Sequence, residues 1–174
     1  MENEKGIDKK IYKMVVSSPS LSTDNTELNI KIKYFNHDDF SVFSVPHLNK
    51  CEVGNWIDLY TSVPVTIKKG EFCLIPLGVG MKLPDGYEAN VVSRSSTFKN
   101  YGIIQTNAYG VIDNSYCGND DEWKFPAYAT KDITIPKYSR ICQFRVNQIQ
   151  PKINFIECDV LTDKNRGGFG STGK

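Results

Sequence analysis

The chain has 174 residues, of which 40% are hydrophobic and 24% charged, with 21 basic residues set against 20 acidic ones for a net charge of +1. That is the length of one domain with room for a single core. A charge so evenly balanced argues against a nucleic-acid or membrane partner, both of which usually call for a strongly basic surface, though it leaves room for a local pocket that takes one small anion.

The first residues, MENEKGIDKK, are charged and carry no apolar core of a signal peptide, and no apolar run approaches the length of a membrane span. Cys51, Cys73, Cys117, Cys142 and Cys158 are odd in number, and no two have C-x-x-C spacing. They read as free thiols in a reducing compartment, so a soluble cytoplasmic protein is expected.

Residues 1–27 are polar and irregular, with serines clustered around Pro19, and read as an extension to the folded domain. The pattern changes from Asn29, and IKIKYF alternates apolar and basic positions in the period of a half-buried strand. Similar runs follow in order: WIDLYTS, PVTIKK, EFCLIPLGVGMKL, YEANVVSR, YGIIQT, AYGVID, WKFPAYAT, RICQFRV and INFIECDV. Turn signals lie between them, among them Lys69-Gly70, Pro84-Asp85-Gly86 and Asn119-Asp120. No long amphipathic helix is visible. Many short strands separated by turns predict a mainly β domain over residues 28–161, a sandwich or barrel. Residues 162–174, rich in glycine and polar side chains, predict a flexible C-terminal arm.

Several segments carry candidate chemistry. In GVIDNSYCG, Asp113 stands at a bend between two short strands, YCG opening the second; there a carboxylate either faces a pocket and takes a proton from water or simply closes an Asx turn. Tyr116, three positions on, can lay its ring against a flat or apolar part of a ligand. In SRSSTFKNYG, Arg94 with Ser95 and Ser96 is either a cradle for phosphate oxygens or a solvated loop. Asp58 follows two large apolar residues in WIDLYTS, and Gln143 sits within the strand RICQFRV. The C-terminal NRGGFGSTGK matches the start of a P-loop, but the chain stops at Lys174, before the hydroxyl residue and helix that a P-loop requires. What remains is Arg166, Phe169, Gly170, Ser171 and Thr172 on a backbone able to approach a ligand closely. Two histidines, His37 and His47, lie outside these segments, which argues against a histidine-based metal site or triad.

Taken in order, these segments resemble the five motifs of the trimeric dUTPases: WIDLYTS the first, SRSSTFKNYGI the second, GVIDNSYCG the third, RICQ the fourth and RGGFGSTG the fifth. The wording GVID, RICQF and RGG-x-GSTG is similar to that of Gram-positive bacilli and their phages. The resemblance implies a jelly-roll-like β fold and a homotrimer with each active site built from three chains. It implies hydrolysis of dUTP to dUMP and pyrophosphate with Mg²⁺. Asp113 then matches the base that activates water, and Tyr116 the ring packed on the deoxyribose. Asn107 and the backbone of Gly110 to Ile112 match the hairpin reading uracil, and Arg94, Ser95, Ser96 and Gln143 match phosphate contacts. Asp58 matches a carboxylate reaching Mg²⁺ through water; Arg166, Ser171 and Thr172 match the arm's grip on the γ-phosphate, with Phe169 over the base.

There are departures from the family pattern. Asn55-Trp56-Ile57 replaces the small residues expected before Asp58, Arg-Ser-Ser stands for Arg-Ser-Gly, and Lys164 competes with Arg166 for the γ-phosphate. Trp123, in the polar insert NDDEW, is a second candidate for base stacking. One alternative is a dCTP deaminase of the same fold, which needs a protein glutamate at the base; Glu122 is the candidate, and its insert reads as solvated. The other is a dUTP-sensing regulatory protein.

Overall fold

The computed structural model describes residues 27–37, 46–48 and 54–161. The expected extension at the N-terminus and the arm at the C-terminus, including Lys164, Arg166, Phe169, Gly170, Ser171 and Thr172, lie outside the described residues apart from position 27.

The alternating segments become strands: β1 (Lys31–Tyr34), β2 (Ile57–Tyr60), β3 (Val65–Ile67), β4 (Phe72–Pro76), β5 (Val79–Lys82), β6 (Tyr87–Ser93), β7 (Ile103–Gln105), β8 (Gly110–Ile112), β9 (Lys124–Ala129), β10 (Ile133–Ile135) and β11 (Arg140–Gln148). The run EFCLIPLGVGMKL is broken into β4 and β5 at Leu77-Gly78, where Gly78 takes a positive φ of 68°. All ladders are antiparallel, in four small sheets ordered β1-β5, β10-β3, β2-β11-β6-β8 and β4-β9-β7. The mainly β prediction holds, as a jelly-roll-like stack of sheets.

Their inner faces meet in one core. Leu59, Ile75, Trp123, Phe125, Ile135 and Ile141 are fully buried, and the Trp123 ring meets Phe144 edge-on with centroids 5.3 Å apart. Strand alternation explains which side chains these are. Along β9 the burial pattern puts Phe125, Ala127 and Ala129 inside and Lys124 and Tyr128 outside.

Four expectations need correction. Trp123 is 0% exposed and belongs to the core, so it has no free face for a base. Its neighbour Glu122 is 7% exposed rather than solvated: one oxygen, Oε1, accepts the Gly78 N–H at 2.7 Å and faces His37 Nε2 at 2.8 Å. The insert folds inward because Trp123 completes a backbone pair, its N–H on the Val79 carbonyl at 2.8 Å and its carbonyl taking the Leu77 N–H at 3.0 Å. After Asp113 the chain runs through turns and bends instead of entering a strand at YCG; the next strand starts at Lys124. Finally, INFIECDV forms no strand and joins no ladder among the described residues. It runs exposed, with Phe155 89% accessible.

One short helix, α1 (Thr97–Tyr101), interrupts the sheets and was not foreseen. Its stop signal is present in the sequence: Gly102 adopts φ 64° and donates its N–H to the Phe98 carbonyl, the left-handed cap that glycine accepts without a Cβ clash.

Candidate functional site

Strand β6 is the axis of the site. At its C-terminal end the chain turns out of the sheet through Arg94, Ser95 and Ser96 and enters α1. The turn is pinned to β11, because the Ile141 carbonyl accepts both the Arg94 N–H at 3.3 Å and the Thr97 hydroxyl at 2.6 Å. The register brings Gln143 opposite Val92 on one side and Asp58 on the other. Arg94, Asp58 and Gln143, far apart in sequence, therefore converge.

Asp58 holds Arg94 there. Its Oδ1 lies 2.8 Å from Arg94 Nε, and its Oδ2 accepts from Arg140 Nη1 at 3.2 Å. This contact is made through Nε, and the guanidinium carries further donors at its terminal nitrogens with which an anion could be met. Arg140, in the segment read as a strand, was not singled out; the unusual carboxylate in WIDLYTS was the signal that a basic partner had to exist. A cleft of about 350 Å³ opens beside this cluster, lined by Ser93, Arg94, Ser95, Phe98, Ile104 and Gln105 among others. Ser96 stands at the start of α1 and makes no side-chain capping bond.

Next to β6 runs β8, with Gly110 opposite Val91 and Ile112 opposite Ala89. A Cβ on Gly110 would sit 3.2 Å from the Val91 carbonyl oxygen and 3.4 Å from Gln105 Nε2, so glycine permits this close approach. The connection from β7 to β8 is a tight turn. In it Asn107 and Tyr109 are exposed, and Ala108 takes a left-handed φ of 52°, which is uncommon for a residue with a side chain.

Asp113 follows β8 directly. Its Oδ1 accepts the Ser115 N–H at 2.8 Å and its carbonyl accepts the Tyr116 N–H at 3.0 Å, so the Asx turn is real. The turn does not withdraw the carboxylate, which is exposed and lines a second cleft of about 440 Å³ with Leu74, Val111, Ile112, Tyr116, Glu122 and Lys124. The Ser115 N–H and hydroxyl hold the Asp113 carboxyl below the usual carboxylate range, keeping it ionised. Tyr116 is braced by its hydroxyl, which donates to the Glu122 carbonyl at 3.2 Å. Burial, with Asp121 and Glu122 nearby, pushes its phenol up, so it stays neutral. Lys124 and Leu74 were not foreseen as lining residues; strand alternation put them on an outer face without saying what lay beside them.

The two clefts lie at opposite ends of β6. Extending the β8 register, Asp113 falls across from Glu88, six residues before Arg94, which is about 20 Å of strand at roughly 3.3 Å per residue. One small ligand cannot touch both within a single chain.

Among the described residues, no group of three or more His, Cys, Asp or Glu side chains could cage a metal ion, and no helix is long and apolar enough to cross a membrane.

A family model described as dUTPase matches residues 55–173. The chain is 54% identical over 146 residues to the SPbeta prophage-derived deoxyuridine 5'-triphosphate nucleotidohydrolase YosS of Bacillus subtilis, covering 84% of this chain and 99% of the relative. Its fold is similar to that of a glycine-to-serine mutant of the Staphylococcus bacteriophage 80alpha dUTPase with dUpNHpp, with a TM-score of 0.65 at 17% identity, covering 83% of this chain and 98% of the other. It is similar also to an aspartate-to-asparagine mutant of the dUTPase from phage phi11 of S. aureus, a structure described as showing the coordination of a structural Mg(II) ion, with a TM-score of 0.62 at 13% identity and coverage of 75% and 98%.

Proposed function

The chain belongs to the dUTPase family, and from that premise we propose that it hydrolyses dUTP to dUMP and pyrophosphate at sites shared between three copies of itself. The observation that carries this reading is the division of the site along β6, with an ionised Asp113 beside Tyr116 at one end and Arg94 beside Gln143 at the other. Catalysis then needs Asp113 of one protomer to face Arg94 of another. Exposed apolar side chains support such an assembly: Phe72, Leu74 and Tyr128 on the outer face of β4 and β9, and the unpaired segment carrying Phe155 and Ile156, are surfaces that a neighbour would cover.

In the reaction, Asp113 accepts a proton from a water whose oxygen attacks the α-phosphorus. The bond from that phosphorus to the bridging oxygen breaks, and pyrophosphate leaves in line. Tyr116 packs its ring on the deoxyribose and leaves no room for a 2′-hydroxyl. Asn107 and the backbone from Gly110 to Ile112 read the uracil edge, and the same crowding rejects a 5-methyl group. Arg94, Ser95, Ser96 and Gln143 hold phosphate oxygens. Arg166, Ser171 and Thr172, in preference to Lys164, grip the γ-phosphate; Phe169 and Gly170 close over the base.

Mg²⁺ fits this arrangement as an ion carried on the triphosphate, because magnesium binds through phosphates and retained waters and needs few protein ligands. Asp58 is the carboxylate that meets Arg94 in the phosphate cluster, and each of its oxygens keeps a lone pair after meeting one arginine. When bound, the ion neutralises charge on the phosphate oxygens. The protein works in the cytoplasm, in keeping with the free thiols Cys73, Cys117, Cys142 and Cys158.

The test is pyrophosphate release from dUTP, dTTP, dCTP and UTP in Mg²⁺, with Asp113→Asn alongside. Release from dUTP alone, reduced in the variant by about 10²–10⁴-fold, is expected. A wild-type protein that leaves dUTP intact would overturn the reading, as would an Asp113→Asn variant with full activity.

A further inference from the structure

Beneath the turn that carries Asn107 lies a buried amide. Gln105, the last residue of β7, is 6% exposed, and every polar atom of its side chain has a partner. Its Nε2 donates to the Val91 carbonyl at 3.0 Å and to Asn107 Oδ1 at 2.9 Å, while its Oε1 accepts the Ser93 hydroxyl at 3.3 Å. The direction of this chain of bonds is not free. A backbone carbonyl can only accept, so the Gln105 nitrogen must face Val91; its second N–H then requires an acceptor at Asn107. The Asn107 oxygen is thus held inward, and the exposed part of that amide is its NH₂, a donor.

Donor polarity at this place has a chemical consequence. Uracil presents an acceptor at C4 and cytosine an amino donor there, so an outward NH₂ suits the first and opposes the second. We infer that Gln105 is a positioning residue that fixes the amide of Asn107 with its donor outward and thereby selects uracil over cytosine. This rests on the reading that Asn107 meets the base. The same side chain reaches Ser93, next to Arg94, so one buried amide ties the base-reading turn to the strand end that holds the phosphate cluster.

The experiment compares kcat/KM for dUTP and dCTP, by pyrophosphate release at pH 8, in the wild type, Gln105→Glu and Gln105→Met. An ionised glutamate can only accept, so at pH 8 Asn107 turns its NH₂ inward and shows its oxygen. The preference for dUTP over dCTP should fall by about 10- to 100-fold, because the dUTP value drops while the dCTP value holds or rises. Methionine frees Asn107 to rotate, and the preference should fall less. If Gln105 is merely structural, both substrates lose equally and the ratio stays at its wild-type value, which overturns the inference. Should neither variant fold, amide hydrogen exchange in the wild type decides: the Gln105 side-chain NH₂ should exchange far more slowly than that of Asn107, and equally fast exchange overturns the inference. Failure of the wild type on dUTP is a separate result that removes the parent reading.

Discussion

Replacing Glu122 with alanine tests how the insert before β9 supports the cleft. Oε1 of Glu122 receives the Gly78 N–H at 2.7 Å, the His37 ring nitrogen at 2.8 Å and, more weakly, the Ser62 hydroxyl at 3.5 Å. Gly78 is itself buried, so water cannot readily replace the carboxylate. A lost hydrogen bond to a charged group costs about 1.5–3 kcal/mol, and a stranded buried N–H adds about 1–3 kcal/mol. The loss should therefore be about 3–5 kcal/mol, in the range found when one partner of a buried polar pair is removed. At roughly 2–4 °C per kcal/mol for a chain of this size, the melting temperature should fall by about 6–20 °C. Glu122→Gln keeps an acceptor oxygen and should lose about 1 kcal/mol. Differential scanning calorimetry measures both, and pyrophosphate release below the transition should remain within a few-fold of wild type, since Tyr116 leans on the Glu122 backbone carbonyl and not on its side chain. A shift under 2 °C for Glu122→Ala would refute the accounting. Ammonia release from dCTP in the wild type, lost in Glu122→Gln, would instead make this carboxylate a reacting group.

Other consequences are open to measurement. Ser115 holds the Asp113 carboxyl low, so the base stays ionised and kcat/KM should persist until pH falls below the ordinary carboxylate value of about 4. Ser115→Ala keeps the dominant backbone donor and loses the hydroxyl, so the acid limb should move up by less than about one pH unit; an unmoved limb would assign it to another group. Asp58→Asn should raise KM for dUTP about 5- to 10-fold by releasing the Arg94 fork, at 26% side-chain exposure for both partners. Arg140→Ala, at 54% exposure, should change it less than about two-fold, and equal effects would contradict the anchoring role. Burial pushes the Cys142 thiol far up, with Asp58 adding to it, so mass spectrometry should find Cys142 unmodified by iodoacetamide in the native protein at pH 8 and modified after denaturation. Modification of the native protein at that position would contradict its burial.

How far the chain could be read ahead of its structure depends on the range of the interaction. Period-two alternation is local, and it located β1 to β9 and β11, though not where EFCLIPLGVGMKL breaks. The short β10 is not among the runs read from the sequence; its place is set by its ladder with β3. The family motifs named Asp113, Tyr116, Arg94 and Gln143, because each sits in a segment whose wording is contiguous. Glu122 and Trp123 could not be read that way. In the sequence they close an acidic run, and only the backbone pair with Leu77 and Val79 draws them into the core.

What the chain order determined alone was class and vocabulary: a β domain, an aspartate at a bend, an arginine beside serines. Tertiary structure decided which of these meet. The pairing of β2, β11 and β6 brings Asp58 to Arg94 and Arg140, and the antiparallel β8 carries Asp113 to the other end of the same strand. That separation is a matter of register, which a one-dimensional pattern does not contain, since a strand looks the same whichever neighbour it pairs with and in whichever direction.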